Sequence, residues 1–256
     1  MKKATKKIVI HAFLIYTLIN VFTYALYHAA YLFTNDALGL TFEYIAYYVS
    51  NIVDFMTPPV MATVMLVLAS REGTKKAFLH TLLISAARIY YTLPYYYLIF
   101  IYNYQYDSIE SIFISFFTSL ASIIIIALGA LISFVIAIFV LGKRIKLPYR
   151  EALSTLPELV NKPSTLDFLN TVSLPILVFV VLRFVINLIS ELVDTIMFFV
   201  EYGDSYTLAE IGTMVGNYLL LFILLVVSYL ASMKVKNYLV KYSKEIQELE
   251  EADIQK

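Results

Sequence analysis

Five ionisable side chains stand inside long apolar runs of this 256-residue chain: Asp54, Arg88, Arg183, Glu191 and Asp194. Charge in hydrocarbon is costly, so such residues pair with one another, face water or serve a ligand. Tyr47, Asn51 and Asp54 recur at i, i+4 and i+7 and share one helical face. Pro58 and Pro59 follow. Each proline lacks an N–H and displaces the carbonyl four residues earlier, which frees the carbonyls of Asp54 and Phe55. An acid beside two loose carbonyls, with Thr57 nearby, supplies the parts of a cation or proton site. The same parts also fit a plain kink, with the carbonyls satisfied by Thr57 or a neighbouring helix and Asp54 bonded to an arginine.

A second constellation runs along one helical stripe: Arg183, Asn187, Ser190, Glu191 and Asp194, at i, i+4, i+7, i+8 and i+11. The other faces of that segment are Leu, Val, Ile and Phe, so the stripe must meet protein or water rather than lipid. Thr81, Ser85, Arg88, Thr92 and Tyr95 make a similar face, with Pro94 freeing the carbonyl of Tyr90. Asn20, Tyr24, Tyr27, His28 and Tyr31 make another. Two cations and three carboxylates share these segments, so at least one carboxylate has no arginine to pair with. It is protonated, hydrated at a helix end, or bound to a cation; burial favours the protonated form. Glu191 and Asp194 lie near the end of their segment, where snorkelling to water is the simpler account. The candidate cavity residues are thus Asp54, Arg88, Arg183, Asn187, Ser190, Glu191 and Asp194, with Asn51, Tyr47, His28 and Tyr95 beside them. Buried charges that only pin helices together are the competing account.

The elements that must hold these residues follow from charge patterning. The chain is 61% hydrophobic with no net charge, and its mean hydropathy is +0.78. Ordinary soluble domains are near half apolar. Every Lys and Arg except Arg88 and Arg183 falls in one of four clusters: Lys2–Lys7, Arg71–Lys76, Lys143–Lys162 and Lys234–Lys256. The connections between them, Asn35–Glu43, Asn103–Glu110 and Glu201–Glu210, carry acids and no bases. Basic and acidic connections alternate, as the positive-inside rule requires of a chain crossing a bilayer six times. The expected fold is an all-α membrane protein of six transmembrane helices in three hairpins, with both termini cytoplasmic. Its spans are Ile8–Phe33, Tyr44–Ala69, Ala77–Tyr102, Ile112–Leu141, Thr171–Val200 and Ile211–Met233, each long enough for a bilayer core. The apolar run after Lys7 is too long for a signal-peptide core, so it reads as a retained first helix. Residues 1–233 form the membrane domain, with a cytoplasmic loop over 142–170, and residues 234–256 form a charged helical tail. The plasma (inner) membrane of a prokaryote is the expected location.

The loop and tail suggest partners. In the loop, Leu153, Leu156, Leu159 and Val160 lie near one side of a short helix, fit to rest at the membrane interface. The Glu151-Ala152-Leu153 stretch, followed downstream by Leu174-Pro175, resembles the cytoplasmic loop of ABC importer permeases, with its Glu-Ala-Ala, Gly and Leu-Pro pattern. The resemblance covers a small part of the chain, has Pro157 where the family has Gly, and brings Leu-Pro late. It implies a cytoplasmic ATPase partner. In the tail, Val235, Leu239, Tyr242, Ile246 and Leu249 follow the 4-3-4-3 spacing of a coiled-coil seam. A homo-oligomer or a membrane partner subunit would use such a seam; a solvated helix anchored by its lysines at an anionic leaflet needs none. Gly129, Ser133 and Ala137, and Gly212 with Gly216, have the spacing of close helix contacts.

Other chemistries lack their signatures. There is no cysteine, so thiol chemistry and disulfides are excluded. No HExxH, GxSxG or phosphate-binding glycine loop occurs, and His11, His28 and His80 are far apart. The sequence predicts no enzyme, no metal, no cofactor and, lacking bulk basicity, no nucleic-acid partner. Beyond the lipid bilayer it predicts a transporter or permease subunit with a polar intramembrane cavity, cation- or proton-linked; the alternative is a membrane scaffold or regulatory partner.

Overall fold

The computed structural model describes residues 3–32, 37–89, 109–163, 167, 170–202 and 208–254. All regular structure among them is helical. In chain order the helices are α1 (Lys3–Leu32), α2 (Ala37–Glu72) and α3 (Thr74–Ser85), which tightens into a 3-10 turn at Ala86–Arg88. Then come α4 (Ile109–Ile145), the short α5 (Tyr149–Ser154) and α6 (Leu156–Asn161), α7 (Leu174–Tyr202) and α8 (Leu208–Ile254). Five of them, α1, α2, α4, α7 and α8, contain stretches long and apolar enough to cross a membrane. The expected third span, Ala77–Tyr102, is described only as far as Ile89; its outer half and Tyr95 lie outside the described residues.

Helix α2 is the central post. Its apolar stretch is 67% buried, against 17–39% for the others. Every residue from 61 to 69 is buried, so this part of the helix is covered on all sides. Helices α1, α3, α4, α7 and α8 all pack on it. Its two prolines sit inside the helix, which continues through them. One apolar cluster joins Ile8 and Val9 of α1, Leu66 to Ala69 of α2, Ala77 of α3, Leu141 of α4 and Leu239 of α8. The start of α1 and α3 and the end of α2, α4 and α8 therefore meet at one end of the bundle, where the four basic clusters fall. Helices α2, α4 and α8 run toward this end, and α1 and α3 run away from it.

Part of the 142–170 loop is helical and packs on the bundle. It forms α5 and α6, and Ala152, Leu156 and Val160 enter the same apolar cluster. Gly142 makes the turn into the loop: Leu147 N–H donates to its carbonyl at 2.9 Å, and a Cβ there would meet the Leu147 carbonyl oxygen at 2.8 Å. The turn between α2 and α3 needs Gly73, whose φ of +84° suits a residue with no Cβ. His80 of α3 reaches back to bond Glu72 across that turn.

Two packing expectations are corrected. The tail seam is spent within the chain: Leu239 and Ile246 are buried, and Val235 and Tyr242 pack on the central cluster. His11 of α1 stacks on Tyr238 and Tyr242, and Tyr238 Oη lies 2.7 Å from His11 Nε2. Nor do the spaced glycines mark close contacts among the described residues. Nothing lies within 4 Å of a Cβ built at Gly129, Gly212 or Gly216, whereas Ala137, of the same row as Gly129, is buried along with Ala130, Phe134 and Ile138.

Candidate functional site

Both intramembrane arginines converge on Asp54. Arg88 Nη1 donates to Asp54 Oδ1 at 2.8 Å. Arg183 Nη2 donates to the backbone carbonyl of Asp54 at 3.0 Å. That carbonyl is the one Pro58 deprives of its helical N–H, so the backbone defect and the buried cation resolve each other. Arg183 also lies over the Phe55 ring, 5.9 Å from its centroid, and Phe55 packs with Leu221 and Leu224 of α8. The Thr57 hydroxyl turns back to the Val53 carbonyl at 2.7 Å. Tyr16 of α1 is buried beside Arg88.

The site sits beside the proline pair of α2 and the 3-10 turn that follows α3. Asp54 is four residues before the proline pair in α2. Arg88 closes the 3-10 turn that follows α3. The fully encased part of α2 begins at residue 61, and toward its other end the helix is more open: Asn51 is half-buried and Tyr47 exposed. The Asp54 side chain is 43% exposed and that of Arg88 21%. Thr81 and Ser85 on α3 are buried, which turns that polar face inward.

Comparison with protein-family models, curated proteins and solved structures finds no match to this chain. The site must therefore be read from its own chemistry.

The remaining predicted residues are not drawn into the cluster. Asn187 is half-buried, and its amide donates to the Arg183 carbonyl at 2.9 Å, within its own helix. Ser190 and Asp194 are exposed, and Glu191 is half-buried. Among the described residues neither Glu191 nor Asp194 makes an ion pair. Tyr218 of α8 holds this part of α7, with its hydroxyl 3.0 Å from Thr195 Oγ1 and 3.5 Å from the Glu191 carbonyl. The stripe thus divides: Arg183 faces the bundle centre, while its continuation lies on the least covered helix. His28 belongs to α1, but its side chain is outside the described residues.

Sequence reasoning missed Lys236. It stands among exposed Lys234, Lys241 and Lys244, yet it is 1% exposed and donates to the Lys162 carbonyl at the end of α6. The signal available was its position four residues on from Ser232 and eight from Ser228, a polar row on one face of α8.

Proposed function

We propose that this chain is a transporter or permease subunit of a prokaryotic plasma membrane. It crosses the bilayer six times with its basic end and both termini in the cytoplasm, and its substrate contacts Asp54, Arg88 and Arg183. The observation that carries this reading is the Asp54 cluster. A carboxylate and two guanidinium groups meet one turn before the proline pair of the central helix, beside the 3-10 turn that follows α3, and the carboxylate stays partly exposed. Helix breaks with charged groups at mid-depth are where transporters place ligands. The proposed side of opening is external, because the acidic connections lie at that end.

The chain has no cysteine, so single cysteines can be placed without background. Asn51→Cys lies one turn from Asp54 on the same face; Phe222→Cys, on an exposed apolar face of α8, is the lipid control. A small charged thiol reagent outside the cell should modify Asn51→Cys and spare Phe222→Cys, because only a hydrated thiol ionises and reacts. A second reading, a scaffold fixed by buried charges, draws support from the internal bonding of Asp54 and from the inward use of the tail seam. It expects both cysteines to be inert.

A further inference from the structure

We infer that the site takes a small oxyanion, and that Ser228, Ser232 and Lys236 on α8 form a second station for it toward the basic end. This rests on the transport reading and names its substrate class.

The first argument is charge. One carboxylate faces two guanidinium groups, so the cluster carries a surplus positive charge in apolar surroundings. Arg183 is bonded to a neutral carbonyl, and its Nε–H is buried without an acceptor among the described residues. A cation arriving here would find the carboxylate held by Arg88 and the freed carbonyl held by Arg183. An anion would find unspent donors and relieve the surplus.

The second argument is independent of the first. Ser228 and Ser232 are each 0% exposed, and neither hydroxyl has a partner among the described residues. Buried polar groups are nearly always bonded, so two orphans in line with a buried ammonium call for an occupant. Lys236, 1% exposed, makes no ion pair among the described residues. The bond found for its ammonium is the Lys162 carbonyl, where α6 ends. Serine hydroxyls and an ammonium are donors suited to an anion with several acceptor oxygens.

The two stations are linked by a slanting row along α8, which drifts about 40° around the helix at each four-residue step. Leu224 packs on Phe55 beside Asp54, and Ser228, Ser232 and Lys236 follow it at one-turn intervals. The row from Leu224 to Lys236 covers roughly 18 Å along the helix axis. The contact of Lys236 with the Lys162 carbonyl ties the basic end of this row to the end of α6. The second station, whose Ser228, Ser232 and Lys236 are buried, admits a free ion and not a lipid headgroup.

The test is thermal unfolding of the full chain in phosphatidylcholine nanodiscs, with inorganic phosphate or acetate against chloride at matched ionic strength. Phosphate or acetate should raise the midpoint, since a ligand of the folded state stabilises it. Lys236→Gln should raise the apparent Kd about ten- to a hundred-fold, the loss of one charge-assisted hydrogen bond. Ser232→Ala, a smaller change that leaves the charge pattern intact, should weaken it less, and it serves if Lys236→Gln does not fold. Stabilisation by sodium but not by either oxyanion overturns the inference. So does stabilisation that appears only when phosphatidylglycerol replaces phosphatidylcholine, or an oxyanion effect untouched by both variants. The transport reading is judged separately: a reactive Asn51→Cys with no oxyanion effect keeps transport and removes the oxyanion, whereas oxyanion binding with an inert Asn51→Cys does the reverse.

Discussion

At Asp54 the side chain and the backbone have different partners, and mutations can tell them apart. Arg88→Ala strands a partly buried carboxylate. Breaking a fully buried pair costs about 3–5 kcal/mol, and because the Asp54 side chain is 43% exposed the loss should fall at or below the low end of that range. Adding Asp54→Ala removes the stranded charge and should restore part of the stability, read as the unfolding midpoint in detergent. Arg183→Ala instead removes a hydrogen bond from a charged donor, about 1.5–3 kcal/mol. Its acceptor is a backbone carbonyl that Asp54→Ala leaves in place, so no rescue should follow. Rescue of both arginine variants by Asp54→Ala would show that both pair with the carboxylate. The sequence made Asp54 the best partner for one arginine or the other, because all three lie near mid-depth. It could not say that one would take the side chain and the other the main chain, which depends on how α7 leans on α2. Lys236 was hidden for a similar reason. Its local surroundings are those of an exposed anchor, and only the folding of a distant loop back onto α8 buries it.

At the scale of elements, the proline pair in α2 is an exchange of one hydrogen bond for another. Pro58→Ala returns an N–H to the Asp54 carbonyl, which then needs Arg183 less. Arg183→Ala should therefore be less damaging in the Pro58→Ala background than in the native chain, with a coupling of about 0.5–3 kcal/mol. Pro59→Ala is the control. It restores a donor to Phe55 instead and should leave the cost of Arg183→Ala unchanged. Equal coupling with both prolines would mean that the helix break, and not the single carbonyl, holds Arg183. The glycines of α4 make a second contrast. Gly142→Ala drives a Cβ against the Leu147 carbonyl, an overpacking cost of about 1–3 kcal/mol. Gly129→Ala meets open space and should stabilise the helix by about 0.5–1 kcal/mol. Unfolding midpoints of the two variants should move in opposite directions. The sequence treated Gly129 as the contact and Gly142 as a mere boundary. A four-residue spacing identifies a face of a helix, but it does not reveal whether another helix lies against it. The 4-3-4-3 seam of the tail was legible as an apolar stripe, while its partner, the chain's own bundle, was not.

At the scale of the molecule, alternation of charge along the sequence maps onto alternation of helix direction, and the basic clusters gather at one end because the helices that bear them pack there. Helix α8, 47 residues long, extends roughly 70 Å, more than twice a bilayer core of about 30 Å, so its lysine- and glutamate-bearing part stands clear of the membrane. The crossing count turns on the segment between Ile89 and Ile109. Arg88 lies beside Asp54, well inside the bundle. Helix α4 ends at the basic end with Leu141 in the shared cluster, so its first residues lie at the opposite end. Among the described residues five helices are long and apolar enough to cross a membrane; the sixth crossing we propose would be completed between residues 89 and 109. A cysteine at Asp107 should therefore be labelled from outside intact cells by an impermeant maleimide, as should cysteines at Asp36 and Asp204. Cysteines at Lys75, Lys146 and Lys244 should react only after the membrane is opened. If Asp107→Cys is shielded while Asp36→Cys and Asp204→Cys react, the third crossing fails and α3 is a re-entrant arm that carries Arg88 to Asp54. If all six exchange sides, the fold stands but the molecule is inverted, and the partly open side of Asp54 faces the cytoplasm.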